Sequence, residues 1–223
     1  MDIKAIAVDI DGTLTDHNRV LSTRGMEALR RVQDRGTIVC LVSGNVLPIA
    51  YALSTYIGLD GPVVAENGGI VCHGTEVIEL FDMELPRKAL HRLQEEMEVK
   101  ELFTNRWRRT EVAVDNSADL ERMRELLEGW ELTIERTGFA IHIMNVGHGK
   151  GAGVGKMAAI LGLGAGEMAA FGDSDNDTSM FRRCAASVAV ANASPAAKAA
   201  ASYVSRKEHA EGVIEGLEEL GLL

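Results

Sequence analysis

The sequence predicts an α/β fold: a Rossmann-like, doubly wound parallel sheet core with an inserted small α+β cap domain. Apolar, β-branched runs without polar alternation recur along the chain, and helical patterns separate them. This is typical of parallel strands that are buried on both faces. Between residues 82 and 149 the pattern changes to helix, strand, helix and hairpin, which indicates a small α+β unit. We therefore predict a core of residues 1–81 and 150–223 and a cap of residues 82–149.

The core is predicted to begin with a βαβ unit. Its strands are residues 3–10 and 37–42, and the amphipathic stretch between them is a helix that Ser22 or Thr23 caps and Gly36 ends. The rest of the first half contains a helix over 47–58, a strand over 62–65 and a hairpin over 69–80 that turns at His73-Gly74.

The cap and the last part of the core follow in order. The predicted cap elements are a helix over 86–98, a basic strand over 101–115, a helix over 117–129 and a hairpin of strands 131–135 and 139–146. The predicted core elements that follow are strands over 167–173 and 186–192, a helix beginning at Ser194 and a closing helix over 211–223. The glycine-rich stretch 149–156 lacks the glycine and the Ser or Thr that a phosphate loop requires, so we interpret it as a helix start.

Composition limits the classes of partner. The 223 residues include 33 acidic and 23 basic side chains, a formal net charge of −10, so we expect no nucleic acid partner, because such binding needs a basic face. No apolar run approaches the ~20 residues that span a membrane, and the N-terminal pattern is not a secretory signal. Three cysteines, an odd number, favour free thiols and a cytoplasmic location. The oligomeric state stays open, a homodimer included.

Polar and acidic residues follow each predicted core strand at its carboxyl end, the edge where open α/β sheets bind ligands. We therefore expect them to share one site. In chain order they are Asp9 and Asp11; Ser43, Gly44 and Asn45; Glu66 and Asn67; and Asp173, Asp175, Asn176 and Asp177, with Lys150 opening the helix before the last strand.

Oxygen ligands without histidine or cysteine favour a hard cation, and Mg²⁺ suits a site that also holds phosphate. Asp9 can bind the metal through one oxygen and attack phosphorus with the other. The Asp11 side chain points to the same side as that of Asp9 only if the strand stays extended as far as Asp11. If the chain turns at Gly12, Asp11 becomes a candidate general acid, and its backbone carbonyl a candidate metal ligand.

Phosphoryl oxygens need positively charged and N–H groups. Ser43, with the neighbouring backbone at Gly44 and Asn45, is a candidate to bind them, and Lys150 is a candidate to neutralise their charge.

The motifs DIDGT, LVSGN and GDSDND, together with Lys150, resemble those of the haloacid dehalogenase superfamily of phosphatases. The stretches SGNV, AENGG, TNRWR and IHIMN are similar to the archaeal phosphoglycolate phosphatases, whose cap lies where the insert lies here. The resemblance implies that Asp9 is the nucleophile forming an aspartyl-phosphate and that Asp11 is the general acid and then base. It implies Mg²⁺ held by Asp9, the Asp11 carbonyl, Asp173 and Asp177, directly or through water.

Two cap residues are candidates for substrate binding. Arg106, in the basic stretch NRWRR, either binds a second anion of the substrate or belongs to a solvated strand. Strand alternation places it on the same face as Arg108. His142 alternates with two isoleucines, and it either contacts the substrate or is structural. Glu66 and Asn67 either brace their loop or take part in catalysis.

The predicted function is a Mg²⁺-dependent phosphomonoesterase acting on a small phosphorylated acid or sugar. The resemblance implies 2-phosphoglycolate, and Asn45, where sugar-phosphatase relatives often have arginine, favours a small substrate. Another sugar phosphatase or a phosphomutase is an alternative. An alternative of a different class is a phospho-accepting receiver module, although such a module needs neither a second acid two residues on nor a cap.

Overall fold

The computed structural model describes residues 2–223. An eight-stranded sheet forms the core, in the order β11-β10-β9-β1-β2-β3-β4-β5. Neighbouring strands are parallel from β11 to β3, and the β4–β5 hairpin adds antiparallel strands at one edge. The strands are β1 (Ala5–Asp9), β2 (Ile38–Val42), β3 (Val63–Ala65), β4 (Ile70–His73), β5 (Glu76–Glu79), β9 (Met168–Gly172), β10 (Ala186–Ala189) and β11 (Tyr203–Val204).

The parallel strands are apolar because helices cover them. Every residue of β1 and β9 is buried, as expected for strands between two helical layers. Helices α1 and α8 contact each other, and α5 contacts α6. The core helices are α1 (Thr23–Asp34), α2 (Leu47–Ile57), α5 (Lys150–Leu161), α6 (Thr178–Phe181), α7 (Pro195–Ala200) and α8 (His209–Glu219). The predicted α/β class with a mainly parallel sheet is confirmed.

A second, three-stranded sheet lies between α3 and α5 in the chain, in the order β6-β8-β7, with antiparallel pairing throughout. Its elements are α3 (Glu84–Glu96), β6 (Val112–Val114), α4 (Leu120–Leu126), β7 (Leu132–Arg136) and β8 (Ile141–Asn145). A separate apolar cluster, which includes Leu93, Met123 and Ile143, packs these elements together. Below, the elements from α3 to β8 are called the cap and the other elements the core. The division into two domains, with boundaries at 82 and 149, stays a prediction.

The predicted strand over 101–115 is wrong for most of its length. Residues Phe103–Trp107 form a 3₁₀ helix, and only Val112–Val114 are a strand. The side chain of Asn105 explains the change, because its Oδ1 accepts a hydrogen bond from Ala113 N and its Nδ2 donates to Glu101. The alternation that placed Arg106 and Arg108 on one face therefore does not apply.

Smaller differences concern short elements. Two short elements were not predicted: β11, which has two residues, and α6, which has four. The first hairpin turns at Gly74-Thr75 rather than at the predicted His73-Gly74, because His73 pairs with Glu76.

Within residues 2–223, no helix has both the length and the hydrophobicity needed to cross a bilayer.

Candidate active site

Three carboxylates meet at the carboxyl ends of the neighbouring strands β1 and β9. Asp9 ends β1, Asp173 follows β9, and Asp177 ends a single 3₁₀ turn over Asp175–Asp177. One oxygen of each lies within 4.8 Å of the others. The Lys150 Nζ donates hydrogen bonds to Asp9 Oδ1 at 2.6 Å and to Asp177 Oδ1 at 2.5 Å. Residues far apart in the sequence therefore form one buried ionic group, as predicted for parallel strand ends.

Burial is the largest single influence on the pKa of each of Asp9, Asp173 and Lys150. It raises the pKa of Asp9 well above its usual range, against the opposing effect of Lys150. Burial, and then the Asp177 carboxylate, raise the pKa of Asp173 to about 6. Burial by itself would lower the pKa of Lys150, but the Asp177 and Asp9 carboxylates outweigh it and raise the pKa. One ammonium therefore faces three carboxyl groups, and with all three ionised the group has an excess of negative charge.

A divalent cation fits this excess. Asp9 Oδ2 is buried and has no hydrogen-bond partner among residues 2–223, although buried polar atoms are normally satisfied. The carboxylates of Asp173 and Asp177 lie next to it, and Asp177 is oriented by the backbone N–H groups of Asp173 and Ser174, each 2.9 Å from its Oδ2. An all-oxygen ligand set with an unsatisfied carboxylate oxygen suits Mg²⁺.

Asp11 takes the second of the two orientations considered from the sequence. The chain turns after β1, and Gly12 has a φ of +86°. A Cβ at Gly12 would lie 2.3 Å from Asp173 Oδ2, so glycine is required both by conformation and by space. The Asp11 side chain lies outside the three-carboxylate group. Its Oδ1 accepts from Arg19 Nε and its Oδ2 from Asn45 Nδ2, both at 2.9 Å.

The loop after β2 packs against Asp11. Ser43 is fully buried, and its Oγ accepts a hydrogen bond from Asn45 N at 3.0 Å. Asn45 orients Asp11, as described above, and Gly44 lines the cavity beside them. Of the three predicted phosphate-binding positions, only Gly44 is exposed to the cavity, while Ser43 and Asn45 stabilise the loop and the Asp11 carboxylate.

The cavity above these groups has a volume of about 230 Å³. The cap contributes the turn between β7 and β8, residues 137–139. The loop after Asp11 contributes Asp16, His17 and Arg19. Arg19 and Phe139 were not predicted from the sequence, because a position in a polar turn was all that distinguished them. The lining residues are Asp9, Asp11, Gly12, Asp16, His17, Arg19, Gly44, Thr137, Gly138, Phe139, Lys150, Asp173, Ser174 and Asn176.

Neither cap candidate lines this cavity. Arg106 Nε donates to Phe103 O at 3.1 Å, and its guanidinium lies 5.4 Å from the centre of the Trp107 ring. The strand alternation on which the predicted orientation of Arg106 rested is absent, because its segment is a 3₁₀ helix. Its exposed position outside this cavity favours the alternative of a solvated side chain. His142 is fully buried and contacts Glu111 Oε1 and Asn67, each at 3.1 Å. It lies behind the cavity wall, which favours the structural interpretation.

Buried polar contacts join the cap to the core. Glu66 accepts hydrogen bonds from Arg109 N, Thr110 N and Thr110 Oγ1. Asn67 Nδ2 donates to Glu111 Oε2 at 2.9 Å, and its Oδ1 accepts from Asn176 Nδ2 at 3.0 Å. These contacts favour a bracing role for Glu66 and Asn67, because Glu66 binds cap residues, Asn67 joins Glu111 of the cap to Asn176 of the core, and neither Glu66 nor Asn67 lines the cavity.

Comparison with known proteins agrees with this geometry. A sequence profile described as haloacid dehalogenase-like hydrolase matches residues 6–126 and 110–217. The chain belongs to the haloacid dehalogenase-like hydrolase family. A phosphoglycolate phosphatase of Archaeoglobus fulgidus is 42% identical over 222 residues, 99% of this chain and 98% of that protein. One of Thermoplasma volcanium is 35% identical over 223 residues, 99% and 100% of the two chains.

Two solved structures share the fold. A crystal structure from Thermoplasma acidophilum has a TM-score of 0.94 at 32% identity and full coverage of both chains. A sugar phosphatase of haloacid dehalogenase subclass IIB has a TM-score of 0.82 at 20% identity, over 99% and 100% of the two chains, and shows the likeness of fold alone. The predicted family is confirmed, and the chain is a phosphatase of that family.

Proposed function

We propose that this phosphatase is a Mg²⁺-dependent phosphomonoesterase that forms an aspartyl-phosphate on Asp9 and acts on 2-phosphoglycolate. The observation that carries the proposal is the environment of Asp9. One of its carboxylate oxygens binds Lys150, and the other is unpaired among residues 2–223 beside Asp173 and Asp177. Asp9 also lines the cavity, so a phosphoryl group in the cavity would lie against a carboxylate fixed in position.

The chain's own groups supply a two-step reaction. Asp9 attacks phosphorus, the P–O bond to the substrate's alcohol oxygen breaks, and Asp11 gives its proton to that oxygen. Water then attacks phosphorus, Asp11 takes a proton from the water, and the bond between phosphorus and Asp9 breaks. Asn45 and Arg19 hold the Asp11 carboxylate in place for both transfers. Splitting the hydrolysis lowers each barrier of a reaction that is extremely slow without a catalyst.

Charge on the transferring group must be neutralised. Asp9, Asp173 and Asp177 would hold Mg²⁺, which would supply charge stabilisation to the phosphoryl oxygens. The carbonyl of Asp11 as a further ligand stays part of this proposal. Lys150 stays charged between Asp9 and Asp177 and lines the cavity, so its ammonium also counters phosphoryl charge.

The size of the cavity supports a small substrate. A volume of about 230 Å³ is below the range of roughly 300–1,000 Å³ that is usual for drug-sized ligands. Relatives that match over nearly the whole chain are named phosphoglycolate phosphatases, and 2-phosphoglycolate is among the smallest phosphorylated acids. A cytoplasmic enzyme acting on free metabolites is part of the same proposal.

Phosphate release from a panel of phosphomonoesters tests the proposal. The panel includes 2-phosphoglycolate and neutral sugar phosphates, with Mg²⁺ and with EDTA, for the parent and for Asp9→Asn. We expect Mg²⁺-dependent release that favours 2-phosphoglycolate and is abolished in a folded Asp9→Asn protein. Preference for another ester would retain the mechanism and reject the substrate. Labelling of the protein without phosphate release would favour a receiver module instead.

A further inference from the structure

The loop that follows Asp11 holds one residue in a strained conformation. Arg19 has a φ of +62°, in the left-handed region that residues with a Cβ rarely adopt. Asp16 maintains the loop, because its Oδ1 accepts from Asn18 N at 2.8 Å and Val20 N at 2.9 Å, and its carbonyl accepts from Arg19 N at 2.9 Å. Strain of this kind persists where the surrounding structure enforces it, often at a functional site.

The Arg19 side chain lines the cavity beside Asp11. Its Nε donates to Asp11 Oδ1 at 2.9 Å, and its guanidinium carbon lies 5.2 Å from the centre of the Phe139 ring in the cap. No hydrogen bond joins its two Nη groups to an acceptor among residues 2–223. The side chain is 54% exposed. Arg19 is therefore held through Nε at the lining of the cavity, and its two Nη groups are available to a ligand.

Of the lysine and arginine side chains at the cavity, Arg19 is the one available to bind a second anion. Within residues 2–223, Lys150 and Arg19 are the lysine and arginine side chains that line the cavity. Lys150 is occupied by Asp9 and Asp177. A phosphorylated acid brings a carboxylate as well as a phosphoryl group, and this carboxylate enters a cavity that already contains several acids. It needs a cationic partner there.

We infer that Arg19 is a specificity-determining residue that binds the substrate's carboxylate and so selects small phosphorylated acids over neutral phosphomonoesters. The planar N–H fork of arginine matches a carboxylate, and the Phe139 ring limits the space above it. The inference rests on the proposed function, because it assigns the acid group of that substrate to a residue of the core rather than to Arg106 of the cap.

Two substrates of the same size separate the effect on specificity from the effect on catalysis. In 2-hydroxyethyl phosphate, a neutral hydroxymethyl group replaces the carboxylate of 2-phosphoglycolate. Arg19 also contacts Asp11, so its loss will slow both reactions, and this common effect cancels in the ratio of the two kcat/KM values. The parent, Arg19→Gln, Arg19→Lys and the control Arg24→Gln are compared. Arg24 is an exposed arginine of α1 paired with Glu211, outside the cavity.

We expect Arg19→Gln to lower the ratio of acid to neutral kcat/KM by at least about tenfold, the usual effect of losing a charged hydrogen bond. We expect Arg19→Lys to lower it less and Arg24→Gln to leave it unchanged. Circular dichroism checks that Arg19→Gln folds. If it does not fold, the ratio is measured with Arg19→Lys, which keeps the positive charge but lacks the planar pair of N–H donors.

The inference is overturned if the parent hydrolyses both esters and the Arg19 variants keep its ratio. Hydrolysis of neither ester by the parent would instead reject the proposed function, and the inference with it, so the two failures are distinguishable.

Discussion

Lys150 connects the carboxylates of the candidate active site, because it forms ion pairs with both Asp9 and Asp177. It is buried at the first position of α5, and its ammonium lies between two buried carboxylates from different elements. Removing charges from water is costly, and a buried ion pair that loses one partner leaves the other uncompensated. Lys150 therefore both orders Asp9 and makes its burial tolerable.

Replacing this lysine is expected to weaken folding as well as activity. We predict that Lys150→Met lowers the free energy of unfolding by about 3–5 kcal/mol in EDTA, because Asp9 and Asp177 become unpaired. Part of this loss should be recovered in Mg²⁺. Urea denaturation measures both effects. Lys156→Met is the matched control on the same helix, since Lys156 makes no ion pair within residues 2–223. An equal loss in the two variants would contradict the prediction.

The individual residues differ in how far the sequence predicted them. The acids and Lys150 were predictable, because each follows or precedes a recognisable apolar strand and those strand ends must meet. Arg19 was not, because its position depends on a left-handed backbone held by Asp16, which a polar loop sequence does not reveal. The direction of the Arg106 side chain was not predictable, because neighbouring basic residues define no common face once the backbone is not a strand.

At the scale of elements, α5 brings Lys150 to the carboxylates, and its glycines allow the helix to approach the sheet. A Cβ at Gly153 would lie 2.4 Å from Val64 Cγ1 and 2.8 Å from the Gly68 Cα. A Cβ at Gly155 would instead meet the Nη1 of Arg183, the mobile end of a long side chain. The glycine-rich stretch that superficially resembles a phosphate loop is thus a packing surface.

Two alanine substitutions on this helix should have opposite effects. Gly155→Ala should raise the free energy of unfolding by up to about 1 kcal/mol, because alanine favours helix and Arg183 can move. Gly153→Ala should lower it by about 1–3 kcal/mol, because the backbone and a buried methyl group resist overpacking. It should also reduce phosphatase activity by displacing Lys150. Chemical denaturation measures the difference, and a stabilised, fully active Gly153→Ala protein would refute the packing interpretation.

The elements themselves were predictable where a long periodic pattern was present. The helix α1 begins after Ser22, whose Oγ accepts from Gly25 N, and α2 ends at the left-handed Gly58, both as predicted. The segment from 101 to 111 was not predictable from its pattern, because alternation of apolar and basic residues also fits an irregular segment. Side-chain hydrogen bonds of Asn105 decide its structure, and such tertiary contacts override local propensity.

In the whole molecule, a buried ionic network connects the cap to the loop after β2, which contains Gly44. Glu111 forms an ion pair with Arg108, which donates a hydrogen bond to Gly44 O at 3.2 Å. Burial tends to raise the pKa of Glu111, but His142 and Arg108 outweigh it and lower the pKa to about 2. The Glu111 carboxylate therefore stabilises the folded protein above its ordinary pKa of 4.5, and this contribution is lost as the pH falls from 4.5 towards 2.

The pH dependence of stability should identify this network. At neutral pH, Glu111→Gln should be less stable than the parent by about 3 kcal/mol, the size of the shift in pKa. The difference should narrow as the pH falls below 4.5, because the parent then loses the same charge. Denaturation at a series of pH values measures it. The exposed Glu125 of α4 provides the control, since Glu125→Gln should track the parent. A constant difference between the parent and Glu111→Gln would exclude this role.

The proposed mechanism requires covalent phosphorylation of Asp9, which trapping with hydroxylamine detects most directly. An acyl phosphate reacts with hydroxylamine to give a hydroxamate and free phosphate, and mass spectrometry of peptides locates the modified residue. During turnover of 2-phosphoglycolate with Mg²⁺, we expect a hydroxamate at Asp9 that is absent without substrate. Sustained phosphate release with an unmodified Asp9, or with the modification at another carboxylate, would contradict it.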